Sequence, residues 1–572
     1  MMQSRLAARR LLLARPLQAK GPSVARLFVR QSHLTSISRP QLPFLSNPLA
    51  RNKQWRYLTT ERKRWLTYEV FLGAKYIVYT WAIVACLLVG YWSVQQEWLE
   101  RRYPSPDEWR FITRLRFRLL RWGPDRTDTP QPNWVQIGDY AKNVLERLED
   151  PETDGADLQE LLDGGIWIDG IGNAGKDITA KSEPWRRGYY EVLMLCAKAA
   201  EKLDNHLVDT TRRIVFPAEQ VFGPSNPNPK PIPPGSPSAP HEKDCEVAYE
   251  APETFYMKIL TTKGFTNKQK MDAALDYGSW LDFKDLPDAS AKMYEWALQL
   301  ASENTSPSAL PYNPQTFVLQ DTRQPSANIL TTLTAIAAHK ARNGDVSSAL
   351  PILISILRAR RSLPAASDPS SVPLEGDGQT ASLWSVSNVI GVAKRLAAPP
   401  AYPPSPPDGE APPLRDAKEL CEEAGLNLYI GEIIYTSKDG SSGREDGLAW
   451  TREAVDLAEE QLHKIGAESR DEAAKKTCKE CLHTGLENWA TMVARLAKEE
   501  REKQQKAGAG TTATKSSGGW FGGLWGEGQA RPDEVGRWTA EEKVVKERTR
   551  RAQEILDVLE APKVGLGSLF WA

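Results

Sequence analysis

The sequence predicts an all-α protein with one helix that crosses a membrane, followed by an array of repeated helical hairpins. Three observations predict it. Tyr76 to Val94 is a run of nineteen residues without a charge. From Trp134 onward, apolar residues recur at helical spacing between Pro, Gly and Ser punctuation, and strand-like alternation is almost absent. Two later stretches, 271–304 and 330–363, repeat a single design.

The first sixty residues are an address. They hold eleven Lys or Arg and no Asp or Glu, with Arg spaced among Leu, Ala and Ser from Met1 onward. That is the composition of a mitochondrial transit peptide over 1–60. A cationic segment is drawn toward the negative side of a membrane by ~2.3 kcal/mol per charge per 100 mV. Arg56-Tyr57-Leu58-Thr59-Thr60 has the look of a processing site just ahead of the first acid, Glu61. The chain as a whole is neutral, so removing those eleven cations leaves a body with 62 basic and 73 acidic residues, a formal charge of −11. Such a body is unsuited to nucleic acid, whose affinity comes from neutralising phosphates. Six scattered cysteines do not amount to a disulfide framework.

The uncharged run at 76–94 spans about 28 Å as a helix, close to the ~30 Å of a hydrocarbon core. Tyr76, Tyr79 and Trp81 gather at one end and Tyr91, Trp92 and Trp98 at the other, as interfacial aromatics do. A basic juxtamembrane segment follows at 95–133. Its arginines, counted against Arg62, Lys63, Arg64 and Lys75, point the body toward the matrix. Import order points the other way, because a presequence followed at once by an apolar segment commonly halts in the inner membrane. The expectation is an inner-membrane protein with its bulk in the intermembrane space.

Residues 134–505 form the repeat domain, interrupted by proline-rich breaks at 222–240, 364–373 and 397–413 that are too poor in apolar residues to pack. In the first repeat, Met271, Ala274, Leu275, Gly278 and Leu281 make one stripe, Asp285 to Asp288 the turn, and Ser290, Tyr294, Ala297 and Leu300 the answering face. In the second, Leu333, Ile336, Ala337 and Lys340 precede the turn at Asn343-Gly344-Asp345, and Ala349, Leu353 and Ile356 follow. Small residues at the eighth and twentieth places let paired helices approach, and the 34-residue period resembles the tetratricopeptide pattern. The expected fold is therefore a tetratricopeptide-like helical solenoid with long Pro/Gly-rich loops. Further degenerate hairpin helices are read at 185–203, 417–435, 445–462, 475–500 and 539–559. A flexible Gly/Ser/Trp loop occupies 506–536 and a C-terminal helix and tail 537–572.

Three motifs suggest chemistry and then fail on context. Gly170-Ile171-Gly172-Asn173-Ala174-Gly175-Lys176 matches part of a phosphate loop, but Asp177 stands where Ser or Thr would meet magnesium and no useful strand precedes it. Cys478-x-x-Cys481-x-His483 lacks a second metal pair, and its cysteines fall on a stripe with Gly485, Trp489, Met492 and Leu496, which reads as core. Gly518 to Gly526 brackets Trp520, Phe521 and Trp525, a docking element or a flap folded back on the array. No active site, cofactor or metal centre is expected, so the protein reads as a binding protein and not an enzyme.

Presequence, single membrane helix and degenerate repeats together resemble the fungal tetratricopeptide adaptor subunit of the i-AAA protease of the mitochondrial inner membrane. The residues that carry this are chiefly Trp185-x-x-Gly188-Tyr189, the repeat at 271–304, and Cys478-x-x-Cys481 with Asn488-Trp489-Ala490. The resemblance implies a non-enzymatic adaptor that presents unfolded or misassembled proteins to that protease, beside a second adaptor subunit. An assembly or import factor for inner-membrane complexes is the alternative. In such repeats the first helices line a concave groove. By this register Asp272, Leu275, Ser279, Asp282 and Phe283 face it in the first repeat, and Thr331, Thr334, Ala338 and Arg342 in the second.

Overall fold

The computed structural model describes residues 60–126, 131–160, 167–168, 172–173, 175–232, 235–306, 309–320, 323–365, 402–437, 441–466, 471–511 and 536–560. The segment expected to be a transit peptide, with its expected processing site, lies outside the described residues, apart from Thr60. So do most of the break at 364–373, the Trp520 cluster and the C-terminal tail. Contacts divide the chain at Trp92 into two units.

The first unit is helix α1, Thr60–Arg102, up to that division. Its 43 residues rise about 65 Å, so the uncharged run is its middle and not its whole length. From Trp65 to Trp92 the large apolar side chains other than Leu72 stand exposed. A core helix would bury one face; this one is apolar and exposed all round, and it is long and apolar enough to cross a membrane.

The second unit begins with the last residues of α1. The segment read as juxtamembrane is folded: Glu100 accepts from Ser105 and pairs with Arg114 and Arg118 of α2, Phe111–Trp122, at 3.1 Å each. Then come α3 (Trp134–Glu149), α4 (Glu183–Lys202), α5 (Pro252–Thr261), α6 (Asn267–Phe283), α7 (Pro287–Ala301), α8 (Ala327–Arg342) and α9 (Val346–Arg361). The array closes with α10 (Ala417–Ser437), α11 (Ser441–Ile465), α12 (Glu472–Thr511) and α13 (Arg537–Glu560). From α2 to α13 each helix packs on the next in chain order, while α4 also touches α6, α6 touches α8 and α10 touches α12.

Local chemistry sets these helices. Ser182 caps α4 by accepting from the Trp185 amide, with Pro184 in the first turn. Thr266 and Gln269 form a capping box on α6, and Ser326 and Asp345 cap α8 and α9. The α6–α7 hairpin turns through Asp285 in left-handed backbone at φ 57°. Across it Gly278 lies against the Tyr294 ring, where a Cβ would come within 3.0 Å, and Ser290 Oγ donates to the Gly278 carbonyl at 2.8 Å. The α8–α9 hairpin places Ala337 and Ala349, both fully buried, at the matching positions.

Three features were not expected. A small antiparallel sheet joins α4 to α5, with His206–Asp209 paired to Ile214–Pro217 and to Cys245–Val247. Four-residue strands are too short for alternation to register. The break at 397–413 was expected not to pack, yet from Tyr402 onward it lies against the helices, as described below. Cys478 is core, as its stripe suggested, but it is also bonded to Cys421, joining α12 to α10 across 57 residues. Cys481, one turn on, is a buried free thiol.

Candidate protein-binding groove

Helices α4, α6 and α8 present their outer faces side by side. Between them opens a concave site of about 610 Å³. Tyr190, Met194 and Leu195 of α4 and Leu275 of α6 supply apolar surface. Glu191 and Lys198 of α4, Asp272 and Asp276 of α6, Thr331 of α8 and Arg121 of α2 supply polar groups. A second hollow of about 390 Å³ adjoins it, sharing Lys198 and Asp276 and adding Glu201, Tyr256, Ser279, Trp280 and Phe283. Phe283 is 75 % exposed and stacked on Trp280 at 5.5 Å. The two hollows make one groove that crosses successive helices.

Of the nine residues read as groove-facing, five line it: Asp272, Leu275 and Thr331 in the larger hollow, Ser279 and Phe283 in the smaller. The other four sit elsewhere. Ala338 is buried, 8 % exposed, and Thr334 is half-buried with its hydroxyl donating to Leu330 O of its own helix. Asp282 is turned inward. Its Oδ1 lies 2.7 Å from His339 Nδ1, and its Oδ2 accepts from Tyr294 at 3.1 Å and from Arg342 at 3.4 Å. Asp282 and Ala338 are therefore packing residues, and Arg342, though exposed at the end of α8, is turned toward Asp282. Asp282 and Arg342 lie in the last turns of α6 and α8, but Thr334 stands in the middle of α8, so the register misjudged the face of α8 along its length.

The carboxylates of the groove are partly buried. Burial pushes Asp272 up to about 6, with Asp276 adding to the rise and Lys268 opposing it. Burial likewise raises Asp276 against Lys198, 3.8 Å away, and Glu191 against Arg121, 3.2 Å away. Glu201 is raised by burial too, although the Tyr256 hydroxyl donates to it at 2.6 Å. The α4 contribution was missed because only that helix's existence, and not its outward face, was read from the sequence. Tyr190, Glu191, Leu195 and Lys198 fall at outward helical spacing and carried that signal.

One turn nearer the start of the same three helices, a proline-rich strap crosses them. It runs from Tyr402 through Pro403-Pro404-Ser405-Pro406-Pro407-Asp408-Gly409 to Ala411. Arg187 of α4 donates to the carbonyls of Pro404 and Pro403 at 2.8 and 2.6 Å and covers the Tyr402 ring at 4.4 Å. Lys268 of α6 donates to Pro407 O at 3.0 Å. Asn328 of α8 donates from its side chain to Asp408 O at 2.8 Å and from its backbone to Gly409 O at 3.1 Å. Prolines lack N–H and leave only carbonyls to be met, so a row of donors suits them.

The motifs with chemical overtones resolve structurally where they are described. A Cβ on Gly175 would strike the Thr261 backbone at 2.7 Å, and Lys176 reaches Glu149 at 3.5 Å, so the loop is packed against α5 and its lysine is paired. Among the described residues no cluster of His, Cys, Asp and Glu could hold a metal.

No protein-family model, no curated protein and no solved structure matches this chain.

Proposed function

We propose that this protein is a membrane-tethered, tetratricopeptide-like solenoid that captures segments of other proteins in the α4–α6–α8 groove. The observation that carries the reading is the groove itself. Residues picked from two repeats by one register meet in a single concave site, on the side where first helices of such hairpins align. Its mixture of apolar surface and half-buried polar groups suits broad, weak capture of varied segments.

With the basic, acid-free leader and the single apolar helix, the reading extends to an adaptor of the i-AAA protease in the mitochondrial inner membrane. It would present unfolded or misassembled clients for degradation, without catalysis of its own. The Cys421–Cys478 disulfide supports a body in the intermembrane space, because disulfides persist in oxidising compartments and not beside a thiol-reducing pool.

Affinity purification of the tagged chain from gently solubilised mitochondria tests this. Recovery of the protease with unfolded membrane proteins supports it, and Phe283→Ala should reduce the clients recovered but not the protease. Recovery of respiratory-complex or translocase subunits without the protease would replace the adaptor by an assembly or import factor.

A further inference from the structure

The face formed by α4, α6 and α8 is two-toned. Its first row is made of donors, Arg187, Lys268 and Asn328, and is already filled by the chain's own strap. The next row, one turn along each helix, is rich in acceptors: Glu191, then Asp272 with Asp276, then Thr331. The second row is open.

The strap demonstrates that an extended backbone can lie across these three helices, from α4 through α6 to α8, and its path runs beside the open row. Tyr402, where the strap begins, is close enough to Glu191 and Arg121 to sense their charges, so strap and hollow are neighbours. In the open row Glu191 and Asp276 have cationic partners at 3.2 and 3.8 Å. Asp272 forms no ion pair among the described residues and has the carboxylate of Asp276 one turn away. Lys268, one turn before Asp272, opposes the rise but donates to Pro407 O of the strap, so this half-buried carboxylate has no direct cationic partner, and the nearby Leu195 and Leu275 are only half covered.

We propose that the open row binds an extended segment carrying Lys or Arg between apolar residues, laid alongside the strap, with the ligand's cation meeting Asp272 and Asp276. This rests on the groove reading above and specifies its ligand. The strap lies one turn away on the same helices, and the carbonyls of Pro403, Pro404, Pro407, Asp408 and Gly409 are already taken by the donor row. The apolar side chains of the ligand fill the space over Met194, Leu195 and Leu275. Segments of this kind are plentiful in chains that have lost their fold, where apolar residues flanked by cations become exposed together.

The test uses the full chain in nanodiscs of neutral lipid, with empty nanodiscs as the control for lipid binding. Short fluorescent peptides share one apolar frame and carry Lys/Arg, Glu or Gln at the same positions. The Lys/Arg peptide should bind about tenfold tighter than the Glu peptide, with the margin shrinking as salt rises. Asp272→Asn with Asp276→Asn should erase that margin without lowering the melting temperature; Asp272→Asn alone, the milder change, should reduce it. Leu195→Arg should weaken all three peptides. Equal affinity for the three peptides, all still sensitive to Leu195→Arg, would overturn the charge preference and leave the groove standing. Binding indifferent to Leu195→Arg, or no binding of any peptide, would overturn the groove itself.

Discussion

Asp282 Oδ1 on α6 lies 2.7 Å from His339 Nδ1 on α8, and both side chains are nearly buried. The pair bridges the first helices of two successive hairpins, and Tyr294 of the intervening α7 donates to the same carboxylate. Asp282 thus joins three helices at one point. Asp282→Ala leaves His339 and Tyr294 without their acceptor and should cost about 1–3 kcal/mol. Thermal unfolding of the full chain should show that loss for Asp282→Ala and none for the exposed Phe283→Ala. A double-mutant cycle with His339→Ala measures the coupling directly.

Gly278 has no room for a large side chain. Its missing Cβ would already touch the Tyr294 ring at 3.0 Å, so Gly278→Ala should be tolerated at a small cost as the ring yields. Gly278→Leu should overpack the hairpin and cost about 1–3 kcal/mol. An unchanged melting temperature for the leucine variant would remove this contact from the core.

The Cys421–Cys478 bond spans 57 residues with both cysteines fully buried. Preventing it by Cys421→Ser should cost about 2–4 kcal/mol, chiefly by freeing the unfolded chain. Peptide mass spectrometry under non-reducing conditions should find the cross-link in protein taken from its native cells with thiols blocked at lysis. Finding both thiols free there would also remove the support for an oxidising compartment.

Asp272 makes stability fall as pH rises. Its carboxyl titrates at about 6 in the fold, against an ordinary 3.8, so the folded state holds the extra proton in between. Its contribution is complete below pH 3.8 and lost as pH rises through 6. Melting temperatures of wild type and Asp272→Asn should therefore converge toward acid pH and separate toward neutrality, with the asparagine variant the more stable at pH 7. Carboxyl NMR chemical shifts give the titration midpoint itself.

What the sequence made legible was local. The long apolar helix announced itself by nineteen residues without a charge, and the central hairpins by small residues twelve apart at Gly278/Ser290 and Ala337/Ala349. Of the groove, the same register picked Asp272, Leu275, Ser279, Phe283 and Thr331. What stayed hidden joins distant parts of the chain. Arg187 meets Pro403 and Pro404 across more than two hundred residues, Lys268 meets Pro407 across 139, and Cys421 meets Cys478 across 57. No periodicity encodes such pairings. A proline run with few apolar residues looks unable to pack because its adhesion comes from carbonyls, which every residue has. Asp282 failed differently, since a charged residue near a helix end suggests solvent until its buried histidine is seen.

The strap has a mechanical consequence. Stacked helical hairpins touch only the hairpins next to them, so an array of them is compliant along its length and can open or close like a spring. A tie rod fixed to the first turns of α4, α6 and α8 removes that freedom where it crosses, through Arg187, Lys268 and Asn328. The spacing of these three helices is therefore pinned, and a segment bound as proposed would use little of its binding energy to straighten the spring. Beyond Asn328 no such rod is seen among the described residues, and the stiffness there comes instead from the covalent clip between α10 and α12. One end of the array is braced by exchangeable hydrogen bonds and the other by a bond that only chemistry can release.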